Sequence, residues 1–181
     1  MGDKKRIIAT TNLHGRLDEF KALLNHIQFN FSEDRLFILG NILNEGPKQI
    51  ELLDYLIELK EKHPNNIYLI YGEVEKLYIE AFVDRNFKAE QKLTKTKNVF
   101  YDYLDNLELR NKHIMFLVRM KDNYRVNNYF FSNEKMNVKG YHCIFPVDDD
   151  GDFLEEGNFT GISFKKRVGL LDLTNRKCYR I

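Results

Sequence analysis

Three short polar segments each follow an apolar run, and they carry residue types that could bind a cation or move a proton. They read "TNLHG" (Thr11 to Gly15), "GNILNEGP" (Gly40 to Pro47) and "GEVE" (Gly72 to Glu75). The first holds the imidazole of His14 two residues after the amide of Asn12. Imidazole nitrogens and carboxylate or amide oxygens are common ligands of divalent metal ions. The three segments therefore predict one polar site, provided that the fold brings them together.

The elements that must position these segments are short buried strands that alternate with amphipathic helices. Apolar runs at 6–10, 35–40 and 66–72 predict three strands, and the segments 17–27 and 47–63 between them show helical spacing of apolar residues. This alternation is typical of βαβ units and predicts a parallel sheet. In open α/β sheets, the loops at the carboxyl ends of the strands converge on one edge. The polar segments occupy those loops.

The rest of the chain predicts two more helices, at 73–87 and 98–111, and then a region rich in strands. The strand segments lie at 124–132, 139–147, 169–174 and 177–181. The sequences between them, which include "DDDGD" (148–152) and "GNFTG" (157–161), predict turns. We expect a second sheet with antiparallel connections. Because no linker, repeat or low-complexity tract interrupts the chain, residues 1–181 are predicted to form a single domain.

Composition excludes several classes of protein. The 181 residues include 28 Lys and Arg against 27 Asp and Glu, and a net charge of +1 argues against nucleic-acid binding driven by overall charge. The sequence contains no run of about 18 apolar residues, the length that would predict a membrane span. The charged start of the chain does not resemble a signal peptide. We therefore expect a cytoplasmic protein in which Cys143 and Cys178 are reduced.

With these loops in this order, the chain resembles the calcineurin-like metallophosphoesterases, especially the branch of bacterial serine/threonine protein phosphatases and dinucleoside tetraphosphatases. The loops of that family read Gly-Asp-x-His-Gly, Gly-Asp-x-x-Asp-Arg-Gly and Gly-Asn-His-Glu. The stretches "HGRLDEFKALLNHI", "DRLFILG" and "VGLLDLTNRKCYRI" also look like family sequence. The resemblance implies an α/β fold, an αββα sandwich of two mixed β-sheets flanked by helices. It also implies a site where two metal ions activate water to hydrolyse a phosphate ester.

The resemblance further implies which positions ligate metal, and most of them are changed here. Asn12 and Asn41 stand where the family has Asp ligands, and an amide carries no charge to offset a cation. Only His14 is retained. The remaining changes are Asn44 for Asp, Glu45 for the phosphate-binding Arg, Glu73 for a ligand Asn, Val74 for the His that assists the leaving group, Ser132 for a ligand His, and Tyr141 for the last His, with His142 one residue late.

Histidines outside these loops predict no site of their own. We expect His26, His63 and His113 at the surface of helical segments. Because side chains alternate along a strand, a displacement of one residue should turn His142 away from the site.

We therefore predict a pseudo-phosphoesterase, inactive or nearly so, that acts as a protein-binding or regulatory module. We expect no cofactor, a protein partner and no membrane partner. The alternative is a metal-dependent phosphoesterase with a remodelled site. In that case His14, Glu73 and Asn41 would hold a single Mn, Fe or Zn ion, with Glu75 as a further oxygen ligand.

Overall fold

The structure, a computed structural model, describes residues 5–96, 98–136, 138–147, 153–162 and 168–181. The predicted turn at 148–152 lies outside them. Within the described residues there are ten strands and six helices. The strands are β1 (Ile7–Thr10), β2 (Arg35–Leu39), β3 (Ile67–Ile70), β4 (Asn123–Val126), β5 (Tyr129–Ser132), β6 (His142–Pro146), β7 (Phe153–Glu156), β8 (Phe159–Ile162), β9 (Gly169–Asp172) and β10 (Lys177–Arg180). The helices are α1 (Leu17–His26), α2 (Gln49–Lys62), α3 (Glu73–Phe82), α4 (Phe87–Leu93), α5 (Phe100–Asp105) and α6 (Leu107–Val118).

The first sheet has the strand order β10-β9-β1-β2-β3. β2 runs parallel to both β1 and β3, which confirms the prediction from the βαβ pattern. All four residues of β1 are buried, because apolar clusters cover both faces of the sheet. Since the carboxyl ends of the three parallel strands lie at one edge, the loops that follow them are neighbours.

The second sheet has the order β4-β5-β6-β8-β7 and is mixed. β5, β6 and β8 are parallel to one another, so the predicted antiparallel connections hold only for the outer pairs β4–β5 and β7–β8. The prediction for 169–174 and 177–181 is wrong, because both strands belong to the first sheet, where β9 pairs with β1. All four residues of β9 are buried, as suits a strand covered on both faces. The predicted turn at 157–161 is too long, since β8 begins at Phe159.

The two sheets pack face to face through an aromatic stack. The rings of Phe37 in β2 and Phe131 in β5 are stacked nearly parallel, with their centroids 3.8 Å apart. All six helices contribute to a larger apolar cluster on the opposite face of the first sheet. The predicted fold class, α/β with two mixed sheets flanked by helices, is confirmed. None of the described helices is long and apolar enough to cross a membrane.

The predicted helix at 98–111 is two helices that meet at Asn106. Its backbone is extended there, with φ −127° and ψ 95°, and its side-chain oxygen accepts a hydrogen bond from the backbone N–H of Leu109 at 2.9 Å. Asn106 therefore ends α5 and caps the start of α6. The predicted helix at 73–87 is too long, because α3 ends at Phe82, and Asn86 caps a separate helix, α4, that begins at Phe87.

His113 is fully buried, so its predicted surface position is wrong. Its Nδ1 lies 2.8 Å from the hydroxyl of Tyr103, and its Nε2 lies 2.9 Å from Oδ1 of Asp54. In the neutral tautomer that donates from Nε2, the ring satisfies both neighbours. Burial lowers the pKa of His113, against the opposing effect of the Asp54 carboxylate. This network, in which Asp54 is partly exposed, joins α2, α5 and α6.

Candidate functional site

Backbone hydrogen bonds join the loops after β1 and β2. The N–H of His14 donates to the carbonyl of Asn41 at 3.1 Å, and the N–H of Gly15 donates to the carbonyl of Ile42 at 2.8 Å. Asn12 and Asn41 both have a φ of 55°, in the left-handed region that Asn and Asp tolerate better than most residues. The loops therefore hold these two side chains in fixed places.

The side chains of Asn12 and Asn41 bind each other. Nδ2 of Asn41 donates to Oδ1 of Asn12 at 2.8 Å. Oδ1 of Asn41 is buried and has no hydrogen-bond partner among the described residues. At the positions where the family places negatively charged ligands, this chain has a neutral pair of amides.

Glu75 is not available as a metal ligand, which corrects the expectation that it could add an oxygen to a remodelled site. Its side chain is fully buried, and its carboxylate accepts hydrogen bonds from the backbone N–H groups of Asn41, Ile42 and Gly72 at 2.8–2.9 Å, and from that of Leu43 at 3.3 Å. It lies in the first turn of α3, where a Glu commonly accepts from the N-cap backbone. Glu75 thus fastens the loop after β2 to the start of α3.

His14 presents its imidazole to the same region. Its Nδ1 lies 3.2 Å from the carbonyl oxygen of Leu43, which can only accept, so Nδ1 carries the proton in this contact. The other ring nitrogen, Nε2, is then an acceptor. His14 is the one predicted ligand that keeps an imidazole lone pair for a cation or a proton.

The side chains of Asn12, His14 and Asn41 line an open cleft of about 590 Å³. The cleft brings together five of the predicted site residues: Asn12, His14, Asn41, Glu45 and Glu73. Sequence reasoning missed the rest of the lining, which consists of Arg16, Asn133, Glu134, Pro146 and Val147. The signal for Asn133 was its place directly after β5, where the strand reaches the first sheet and the side-chain amide donates to the carbonyl of Leu39 at 2.7 Å.

Three predicted residues lie near the cleft without lining it. Val74 packs against the helix-side apolar cluster. Asn44 turns into its own loop, where its N–H donates to Oε1 of Gln49 at 2.8 Å and its Oδ1 is buried without a described partner. Ser132 donates to the carbonyl of Glu134 and lines a neighbouring cavity of about 270 Å³ that also borders Glu73.

Tyr141 and His142 do not belong to the site, which corrects their assignment as vestigial site residues. β6 reaches the cleft with Pro146, and four residues of strand put His142 about 13 Å farther away. Nε2 of His142 lies 2.7 Å from the hydroxyl of Thr160, and His142 lines a separate cavity of about 180 Å³. Tyr141 packs on the other face of the second sheet, near Phe130. The length of β6 sets how far Tyr141 and His142 lie from the cleft, and the local sequence does not reveal that length.

The residues of the cleft do not fit a two-metal centre. Such a centre needs a charged group that bridges both ions, and the amide of Asn41 is neutral and bonded to Asn12. Among the residues that the structure describes, no group of three or more His, Cys, Asp or Glu side chains could hold a metal ion. The cleft carboxylates Glu45, Glu73 and Glu134 therefore do not form such a group.

The fold and the loops define a class of protein, and comparison with known families gives the same class. The calcineurin-like phosphoesterase model matches residues 5–169, so the chain belongs to that family. A symmetrical bis(5'-nucleosyl)-tetraphosphatase of Pseudomonas syringae is 40% identical over 55 residues, which is 30% of this chain and 19% of the relative. One from Wigglesworthia glossinidia brevipalpis is 33% identical over 89 residues, 48% of this chain and 31% of the relative. These matches span less than a third of either relative.

The solved structures show the same fold over nearly the whole chain. A crystal structure of a protein provisionally assigned as a diadenosine tetraphosphatase superposes with a TM-score of 0.70, covering 99% of this chain and 94% of that one. Its sequence is only 12% identical, so the likeness establishes the fold alone.

Proposed function

We propose that this chain is a pseudo-phosphoesterase, which keeps the fold and cleft of the family but does not hydrolyse phosphate esters. The observation that carries the proposal is the hydrogen bond between Asn41 and Asn12 at the two positions of the family's Asp ligands. The chain also has Glu45 where the family has an Arg, and a carboxylate there repels a phosphate. Val74, in place of the leaving-group His, can neither donate nor accept a proton.

The size of the expected loss supports inactivity. Removing one preorganised donor to a developing oxyanion costs about 3 kcal/mol in the transition state. Several such groups are changed together here, and because they act as a unit their losses do not simply add. The remaining rate should nonetheless be close to background.

The proposed role is that of a binding or regulatory module with a protein partner in the cytoplasm. The cleft is open, so the fold keeps a concave surface that a segment of a partner can enter. Both cysteines are free, as expected for a reducing compartment. A photo-crosslinking residue in place of Glu45 should capture a partner in cells, whereas the same residue in place of exposed Glu33 should not. Equal capture at both positions would contradict a role for the cleft.

A second candidate, a phosphoesterase with one Mn, Fe or Zn ion, is favoured by two residues. In the neutral tautomer that donates from Nδ1, His14 offers Nε2 as a ligand, and Glu73 offers a carboxylate on the same cleft. Asn41 could add only the neutral oxygen Oδ1, which is buried, because its Nδ2 is the donor to Asn12. This candidate therefore has a single carboxylate, that of Glu73, to offset the charge of the ion.

The experiment that separates the two candidates is a hydrolysis assay with added metal. Protein stripped with EDTA receives Mn²⁺, Fe²⁺ or Zn²⁺, and is then tested on p-nitrophenyl phosphate, a phosphoserine peptide and diadenosine tetraphosphate. We expect wild type and the His14→Ala variant, purified identically, to give the same background rate. Metal-dependent turnover that the His14→Ala substitution abolishes would establish the second candidate.

A further inference from the structure

Two successive helices, α5 and α6, expose large apolar side chains, and both follow the three cleft loops in the sequence. The α5–α6 surface consists of Tyr101, Leu104, Leu107, Met115 and Val118, and each of these side chains is 48–58% exposed. Isolated apolar residues on a surface are ordinary, but grouped ones commonly mark an interaction site. None of the five lines the cleft.

The pattern along α6 shows that the exposed residues form a stripe. Leu107, Met115 and Val118 share one side of the helix with exposed Asn111, because these positions are separated by three or four residues. His113 and Leu117 face the core from another side. A helix with apolar residues on more than one side is typical of one that is covered on more than one side.

The two ends of α6 carry opposite charges beside this stripe. Glu108 lies in the first turn of α6 and Arg119 is its C-cap residue. Both are exposed, and neither has an ion-pair partner within the described part of the chain. They lie on the same side of the helix, since they are separated by about three turns.

A second α6 placed antiparallel about a two-fold axis would match this arrangement. Glu108 of each copy would then lie against Arg119 of the other, and Leu107 would lie within one helical turn of Val118 of the other copy. Such a self-complementary patch is what a two-fold symmetric interface requires. Antiparallel packing also sets the opposite ends of the two helix dipoles beside each other.

We propose that the α5–α6 surface is the interface of a homodimer, with a second copy of this chain as its occupant. α6 is about 18 Å long, so the interface is at the small end of specific protein contacts. We expect weak dimerisation that depends on protein concentration. The proposal does not depend on the function proposed above, because its test measures association and not catalysis.

The first test is sedimentation equilibrium of wild type between about 1 and 200 µM, beside the Met115→Asp variant. A buried charge at the centre of the stripe should weaken association by about 100-fold or more. Phe87→Asp, which changes an exposed apolar residue on α4 outside the surface, should leave association unchanged. Wild type that stays monomeric at 200 µM, or dimers that tolerate the Met115→Asp substitution, would overturn the proposal.

Charge exchange tests the antiparallel arrangement. Glu108→Arg alone and Arg119→Glu alone should each weaken self-association by about tenfold, because each creates two like-charge contacts per dimer. An equimolar mixture of the two variants should associate as tightly as wild type, since every contact then has opposite charges. The double variant should also recover. A mixture no tighter than the separate variants would contradict this interface.

Discussion

Nδ2 of Asn41 donates a hydrogen bond to Oδ1 of Asn12 at 2.8 Å, so the two loops that hold metal ions in related proteins are here bonded directly to each other. Two carboxylates at that separation would repel unless a cation lay between them. The amide pair is neutral and needs no cation. The loops of this chain can therefore adopt the family's geometry through protein contacts alone.

A double substitution tests this replacement of charge by a hydrogen bond. Asn12→Asp alone keeps the amide donor of Asn41, and Asn41→Asp alone allows the amide of Asn12 to turn and donate, so we expect each to change the free energy of unfolding by less than about 1 kcal/mol. The double variant places two carboxylates together, and we expect a loss of about 2 kcal/mol or more at pH 7.5 in EDTA. Urea unfolding of all four proteins measures the coupling.

The metal dependence of stability is a control for this double-mutant cycle. Adding Mn²⁺ should recover stability in the double variant and leave wild type unchanged, because only the double variant offers paired carboxylates. Strictly additive single and double effects would show that the two side chains do not interact.

Glu75 and Glu73 form a matched pair for a second prediction. Glu75→Gln replaces one acceptor oxygen by a donor that faces backbone N–H groups, and we expect a loss of about 3 kcal/mol in the free energy of unfolding. Glu73→Gln, two residues away on the cleft wall, should change it by less than about 0.5 kcal/mol. Denaturant unfolding measures both. Equal losses would contradict the role of Glu75 in joining the loop after β2 to the start of α3.

Ala substitutions at two glycines distinguish the cost of backbone strain from the cost of a steric clash. Gly40 and Gly140 have φ of 75° and 85°, but a Cβ on Gly40 would lie 2.5 Å from the backbone N of Gly72, whereas one on Gly140 would have nothing within 4 Å. We expect Gly140→Ala to cost about 1 kcal/mol through strain alone. Gly40→Ala should cost at least about 2 kcal/mol more, because the loops after β2 and β3 must separate. Similar melting temperatures for the two variants would contradict this close approach.

The buried His113 predicts a pH dependence of stability. Burial lowers its pKa in the folded state below that of the unfolded chain, so the unfolded chain binds more protons as the pH falls. The free energy of unfolding should be fully retained above about pH 6.5 and should decrease below it, by at most about 1.4 kcal/mol per pH unit for one proton. Urea unfolding between pH 7.5 and 5 measures this slope.

The His113→Gln variant is the control for that slope. Because Gln does not titrate, the variant should be less stable at pH 7.5 but lose less stability on acidification. Asp54, beside His113, contributes in a lower range: burial raises its pKa, but hydrogen bonds from Lys112 and His113 outweigh burial and hold the pKa below its usual value. Identical slopes in wild type and variant would remove His113 as the cause.

The sequence predicts the first half of the molecule well because local signals there agree with the tertiary fold. β1, β2 and β3 are mostly apolar, and the polar loops after them meet at one edge, as parallel topology requires. Glu75 also had a readable signal, since a Glu three residues after the N-cap residue Gly72 matches the Glu half of a capping box.

Other features depend on contacts that no local pattern encodes. β9 carries a strand pattern that does not say which sheet it joins, and its pairing with β1 spans most of the chain. α6 is apolar on several sides, so its pattern did not reveal that His113 is the side chain facing Asp54. The register of Tyr141 and His142 depends on how far β6 extends toward the cleft, which only the structure shows.

The most direct test of the central claim is a count of metal ions per chain. Wild type, the His14→Ala variant and the Asn12→Asp/Asn41→Asp double variant are dialysed against Mn²⁺ or Zn²⁺, and the bound metal is measured by mass spectrometry. We predict no binding to wild type above the His14→Ala level, and clear binding to the double variant. One or two ions per wild-type chain, lost on the His14→Ala substitution, would contradict the account.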